Sequence, residues 1–419
     1  MRMTEEHTAL WLALACLLLT PFARAAEIPI LLLALLGLRK FILERPWAFK
    51  PPVIVNFSLL FLVFWVPMLL SSFDAVNMMK TSKDAWGFIR FYFFGYYLLQ
   101  TLNHEAALER LLKFANFILL FWVFDALVQF VCGFDLFGFP LVPERLNGVF
   151  GDNLKLGLFL GAYSPLVIVS ALQAGRTIKL LTSFSLILVV LLAGSRAGWI
   201  MFAVGMLALC VYSGRHWQGI PWRNFIVGAF LLVVACGLSY QFIPNFSSRV
   251  DQSLLVFNGD TASIDRAISF RLPIWKTGVR MFAGNWLNGV GVRGFRYAYN
   301  RYAEDDDIWK NYSKDGTGAM HGHGMLVDIA AETGVVGLVS LLGFCALLVR
   351  LWLRGAVAAR RRSLPYAAAL VAILFPLNTH FAFYSGTWLQ VIFWLTVFYL
   401  ASLHLGSHAS RVLPQQRPR

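Results

Sequence analysis

The chain has 419 residues, 58% of them hydrophobic, with a mean hydropathy of +0.64 and a formal net charge of +14 at pH 7. That apolar excess excludes a soluble globular domain and predicts an all-α polytopic membrane protein. The basic balance then reads as membrane topology and anionic lipid or phosphate partners, with no nucleic acid.

A spanning helix needs about 20 predominantly apolar residues. Such segments fall at 8–22, 27–43, 52–72, 86–102, 111–132, 156–174, 178–194, 197–213, 224–243, 324–349, 365–384 and 387–406, which predicts about twelve transmembrane helices. The first, "WLALACLLLTPFARA", has the look of a secretory leader with small residues at Ala23 and Ala25. Glu5 and Glu6 stand where a leader wants positive charge, so an uncleaved first helix is expected. Asp125, inside "FWVFDALVQF", is read as a buried tie in preference to a proton-path residue. The five cysteines, Cys16, Cys132, Cys210, Cys236 and Cys345, fall mostly in apolar runs without metal or redox spacing and read as packing residues.

The organisation expected is nine helices over 1–243, one large loop over 244–320, three helices over 321–406 and a basic tail over 407–419. Lys and Arg sort by parity. One side carries most of them, including the run "RGAVAARRRS", while the short loops of the other carry only Arg24, Lys80, Lys83, Arg145, Lys155 and Arg196. By the positive-inside rule both termini are cytoplasmic and the large loop is extracytoplasmic.

A loop of that length points to function. From Arg266 to Arg301 it holds seven basic residues, Arg266, Arg271, Lys276, Arg280, Arg293, Arg296 and Arg301, and no acidic one. Aromatic residues are interleaved with them, as expected of a segment at the headgroup level. Pro273 can open an amphipathic interfacial helix whose apolar face runs through Trp275, Val279, Phe282 and Trp286. An alternative is a lid that merely binds anionic lipid. Arg145, Arg196 and Arg271 share a side of the membrane, where planar guanidinium forks suit a phosphate or diphosphate. Arg196 in so tight an apolar hairpin must snorkel, pair or face a polar cavity.

The stretch "AMHGHGMLVDIAAETGVVG" then places His321 and His323 at the mouth of a helix. If that helix starts near Gly322, His323 lies in its first turn, where the helix dipole and nearby arginines keep the imidazole neutral and able to act as a general base. Asp328 and Glu332 share a helical face and read as structural more than catalytic. The run Glu304, Asp305, Asp306 and Asp307 could offer oxygen ligands to a divalent cation, but reads first as a solvated run. A zinc site from His321, His323 and His380 matches no metal spacing.

The pieces "RLNGVFGDN" (145–153), "GSRAG" (194–198), "RLPIWKTGVRMF" with "GVGVRGF" (271–295) and "HGMLVDIAAETGVVGL" (323–338) together resemble the bacterial O-antigen ligase family, relatives of the O-antigen polymerases. The resemblance implies a GT-C-like arrangement of about twelve helices with one large periplasmic loop in the bacterial inner membrane. It implies inverting, metal-independent transfer of a glycan from undecaprenyl diphosphate to a sugar of lipid A-core, with no cofactor. On this resemblance His323, Arg196 and Arg271 match the family's essential residues. Arg145, Arg293, Arg296 and Trp275 would join Arg196 and Arg271 in holding the diphosphate and lipid. Gly324 stands where the family often has an amide or hydroxyl residue. An O-antigen polymerase, a protein O-oligosaccharyltransferase and a lipid-linked glycan transporter are the alternatives.

Overall fold

A computed structural model describes residues 2–44, 51–142, 145–216, 222–379 and 382–405. His380 and the tail at 407–419 lie outside the described residues. Before the large loop the chain forms α1 (Arg2–Leu18), α2 (Glu27–Leu43), α3 (Pro52–Leu70), α4 (Met78–Gly87), α5 (Arg90–Thr101), α6 (Glu105–Cys132), α7 (Leu156–Leu172), α8 (Arg176–Leu192), α9 (Arg196–His216) and α10 (Trp222–Phe242). The loop holds α11 (Pro244–Leu254), α12 (Thr261–Ala267), α13 (Leu272–Gly284) and α14 (Phe295–Tyr302), followed by α15 (Met325–Arg354), α16 (Val357–Ile373) and α17 (Gly386–His404). The fold is all-helical among the described residues, apart from two isolated bridges at 134–145.

Among the described residues four helices, α3, α6, α15 and α17, are long and apolar enough to cross a membrane, and the bent pair α10–α11 adds a fifth if taken as one span. Several of the other predicted segments are helical but shorter. α1, α2, α7, α8 and α16 have 17 residues each, about 25 Å of rise, just short of a bilayer core of about 30 Å. On α2 the residues Ile28, Leu31, Leu35 and Ile42 form an exposed apolar stripe, a face that lipid would cover.

Two expectations shift. The segment 86–102 divides between α4 and α5, which meet at Phe88 and Ile89. The segment 365–384 starts earlier and stops at Ile373, because Pro376 cannot continue a helix and the apolar residues beyond it belong to a connection. The same helix takes in Arg360, Arg361 and Arg362 at its start.

The bundle core is aromatic. Phe393 of α17 meets Phe57, Phe61 and Phe64 of α3 and Phe88 and Phe91 beside α5 within 6.4 Å between ring centres. α1 packs into this bundle: Trp394 Nε1 donates to Ala13 O at 3.0 Å and Gln390 Nε2 to Cys16 O at 2.6 Å. A second, smaller core gathers Ile274 and Met281 of α13, Phe295 and Tyr299 of α14, and Val290, Ala319 and Ala331. The large loop is therefore a folded helical unit with its own core, built on α15.

Candidate active site

Arg196 opens α9 immediately after the Gly194–Ser195 turn. Its guanidinium reaches across to the loop, where Nη1 donates to Ala267 O and to Ser253 Oγ, and Nη2 to Ser269 Oγ. The carbonyl and hydroxyl it grips flank a tight reversal, since Ser269 and Phe270 both have positive φ, 62° and 56°. Two consecutive left-handed residues that are not glycine store strain of order 1–3 kcal/mol each unless the surroundings hold them. Asp265 supplies the rest of the hold: its carbonyl accepts from Phe270 N at 2.7 Å and its Oδ1 from Leu272 N at 2.9 Å. What this reversal delivers is Arg271, at the N-cap of α13.

Arg271 lies in the field of two other arginines. Burial, then Arg196, then Arg145 pull its pKa down to about 10, which leaves it cationic at neutral pH. Arg145 is carried by the connection that α6 organises: Asp125 Oδ1 accepts from Leu136 N at 3.1 Å, and Gln129 Oε1 from Asn147 N at 3.1 Å and Gly148 N at 2.8 Å. Asp125 is thus a buried tie. Arg249 of α11 lies within electrostatic reach of Arg196. No sequence signal singled it out, because it precedes the stretch in which basic residues occur without acids.

The histidines sit in the turn before α15. The helix begins at Met325, with Gly324 as N-cap, so His323 lies just outside the first turn and not within it. It adopts a left-handed conformation, φ 49°. Its ring lies 3.8 Å from that of His321, centre to centre. Burial, His321 and Arg271 hold the His323 pKa far below its ordinary 6.5, so the ring is neutral. Asp328 staples the turn: Oδ1 accepts from Gly322 N at 2.6 Å and Oδ2 from Phe383 N at 3.1 Å. Trp275, one turn along α13 from Arg271, closes the other side, since a Cβ at Gly324 would lie 3.4 Å from its Nε1. Arg271 and His323 are thereby linked through one helical turn.

A break in α15 fixes the height of this turn. Gly334 has φ 61°, outside helical geometry, and interrupts the helix. The groups released are taken up by the segment 286–291. Val290 N donates to Ala331 O at 2.8 Å and Gly291 N to Glu332 O at 3.1 Å, while Val335 N and Val336 N donate to Trp286 O and Leu287 O. Any side chain at Gly334 would collide with the Leu287 carbonyl. The segment is pinned from its other side by Thr81 Oγ1, which donates to Val292 O at 3.1 Å.

Other predicted residues stand elsewhere. Arg293 lies within electrostatic reach of the buried Asp328 and Glu332 on α15. Arg296 is engaged with Asp315, at 2.6 Å, and Thr317. Of the apolar face expected on α13, Val279 and the following Trp286 are 61% and 60% exposed, whereas Ile274, Thr277, Gly278 and Met281 turn to the core. Trp275 and Phe282 of the same face are half-buried. Glu304, Asp305 and Asp306 of the acidic run are exposed, as expected of a solvated run; Arg280 holds Glu304 and Lys310 holds Asp305, both below the usual carboxylate range, and the half-buried Asp307 accepts from the Tyr299 hydroxyl at 2.8 Å. Among the described residues no three His, Cys, Asp or Glu side chains are grouped as ligands of one ion.

The site therefore sets a cluster of guanidinium groups beside a neutral imidazole, at the junction of α9, the loop and α15. Residues 181–342 match the family model described as O-antigen ligase. The O-antigen ligase match opens in α8 and closes in α15, so it contains Arg196, Arg271, His323, Asp328 and Gly334, and leaves Arg145 outside. A search of curated proteins finds no match to the chain.

Proposed function

We propose that the protein is an inverting glycosyltransferase that moves an O-antigen glycan from undecaprenyl diphosphate to a sugar hydroxyl of lipid A-core, at the periplasmic face of the bacterial inner membrane. The observation that carries this reading is the adjacency of Arg271, in the shared field of Arg196 and Arg145, to the neutral His323. About twelve spans with both termini in the cytoplasm would place this end of the bundle outside the cytoplasm.

The chemistry has two demands. As the bond between the anomeric carbon and the diphosphate oxygen breaks, negative charge grows on a leaving group that stays in the membrane as undecaprenyl diphosphate. Fixed cations aimed at that oxygen stabilise it. Arg271 and Arg145 supply charge, while Arg196 holds the turn that aims Arg271 and adds its own field. The acceptor hydroxyl must meanwhile lose its proton as its oxygen bonds to the anomeric carbon from the opposite face. His323 takes that proton. With no substrate its basicity is low, because burial and two basic neighbours oppose an imidazolium. A bound diphosphate offsets the arginine charge and makes the ring a better base, so donor binding prepares acceptor activation.

The test is transfer in proteoliposomes, with purified protein, labelled undecaprenyl diphosphate glycan, and lipid A-core, glycan-lipid or peptide offered separately, each with and without EDTA. Label moving to lipid A-core with EDTA present is expected. Label moving only to glycan-lipid would make the protein a polymerase, and only to peptide a protein glycosylase. No transfer to any acceptor would sink the enzymatic reading.

A further inference from the structure

Between α3 and α4 the chain passes the segment that clips α15. Val76 N donates to Val290 O at 3.1 Å and Val292 N to Ser71 Oγ at 3.3 Å, beside the bond from Thr81 Oγ1 to Val292 O. The same segment donates from Val290 N and Gly291 N to Ala331 O and Glu332 O. α4 therefore sits at the end of the bundle that carries the histidine turn.

α4 has three sides. At about 100° per residue, Thr81 and Ala85 share the buried one. Met78, Met79 and Trp86 fall on one flank of it, while Lys80 and Asp84, paired at 2.9 Å, fall on the other, with the exposed Lys83 at the outer edge. The apolar flank is bare: Met79 is 85% exposed and Trp86 60%. A helix divided in this way suits a boundary between water and hydrocarbon.

Two observations name the lipid surface as what covers that flank. α3 carries an exposed stripe at helical spacing, Val55, Leu59, Leu62, Val66 and Leu70, along a helix fit to cross the membrane, and the exposed Phe73, Val76 and Met79 follow it in the chain. Trp86 then sets the depth. Its ring lies 5.8 Å from that of Trp65 in the last turns of α3, and Trp65 Nε1 donates to Ala85 O at 2.7 Å. Tryptophans at the end of a spanning helix belong to the headgroup level, where lysines turn towards phosphate and water.

We propose that α4 is an interfacial anchor: it lies along the headgroup boundary of the adjoining leaflet, with Met79 and Trp86 among acyl chains, and holds the 290–292 clip at that depth. Because the clip binds the break in α15, the membrane surface takes part in setting the height of the histidine turn. The anchor is independent of the glycan-transfer reading, since it rests on the α3 span and on the contacts of α4.

Spin labels at Met79→Cys and Lys83→Cys test the depth in nanodiscs, each taken as the difference from the parent protein treated alike. Oxygen, which partitions into lipid, should relax the Met79→Cys label more than a water-soluble nickel chelate does, and the order should reverse at Lys83→Cys. The hold on the clip is followed by amide exchange at Val76 and Val292. Met79→Asp should speed that exchange about tenfold, as for loss of one buried apolar side chain, while Met79→Leu leaves it unchanged. The labels keep the depth testable should Met79→Asp fail to fold. Equal access of both relaxants at the two labels, a Met79→Cys label shielded from both by a second copy of the chain, or unchanged exchange in a folded Met79→Asp would each overturn the proposal.

Discussion

The two cores of this molecule are held together by different forces. The bundle core is rings on rings, with Phe393 in contact with six other phenylalanines and no polar group among them. Dispersion and shape fix it, and neither is strongly directional. The smaller core beneath the large loop is tied by hydrogen bonds of fixed geometry: Asp265 and Arg196 on the 267–272 reversal, Asp307 on Tyr299, Asp328 on the histidine turn, and the backbone exchange at Gly334. The difference teaches where exact position matters. A bundle can shift by fractions of an ångström and still separate two sides of a membrane, whereas a base and a cation cluster must hold their spacing to act on one substrate.

The sharpest way to break that comparison is at the imidazole itself. His323→Ala is expected to lower glycan transfer by ~100- to 10,000-fold, the usual contribution of a general base, with an unchanged melting temperature. Retained transfer in the proteoliposome assay would remove His323 from the chemistry.

Asp328→Ala comes next, because it separates position from chemistry. It leaves the Gly322 and Phe383 amides without their acceptor, at ~1–3 kcal/mol for each buried group. The histidine turn should loosen, and kcat should fall by ~10- to 100-fold with donor KM little changed. Full kcat in this variant would show that the staple serves stability alone.

At Gly334 the expectation concerns the fold more than the rate. Gly334→Ala places a Cβ against the Leu287 carbonyl at a left-handed position, a strain of ~1–3 kcal/mol that should appear as a lower melting temperature and greater amide exchange at Val290 and Gly291. An unchanged melting temperature would mean that α15 is not clipped there.

These contrasts also mark what could be seen in the sequence. Apolar length located α2 over 27–43 and the start of α9 beside Arg196, because periodicity and composition are local properties. The nearness of Arg271 to His323 could be expected from the basic residues of the loop, whereas the burial that contributes most to the low pKa of His323, and its place before the helix, could not. Asp265, Arg249 and the Gly334 break left no local signal. The carboxylate of Asp265 matters only because the chain reverses over 269–271, and Arg249 only because α11 folds back towards α9. α16 was displaced because hydropathy counts Phe375 and Leu377 as membrane residues, whereas Pro376 has already ended the helix.

Acidity offers a finer test of the shared field. His323 has a pKa below 6.5 in the free protein, so it stays deprotonated until the pH falls below that value, and the acid limb of kcat/KM should lie under pH 6.5. His321→Ala removes one of the two groups that oppose its protonation, which should move the limb upward. A limb above pH 7, or one that His321→Ala leaves in place, would mean that the rate reports another group.

The smallest effect is expected in the bundle. Phe393→Leu keeps an apolar side chain but removes ring volume, so its cost, of order 1–2 kcal/mol, depends on how well the neighbours close the gap. Phe393 lies on α17, whose first turn follows the connection that Asp328 grips through Phe383, so a disturbance could in principle reach the histidine turn. The two cores predict otherwise. One ring, Phe64, lies between Phe393 and Phe383, at 5.6 and 5.4 Å, and its repacking should absorb the change before strain reaches a carboxylate held at both oxygens, so the melting temperature should fall slightly while kcat and the acid limb stay where they are. If this variant lost activity in step with Asp328→Ala, the two cores would be one mechanical unit, and the division between a tolerant bundle and a directional site would fail.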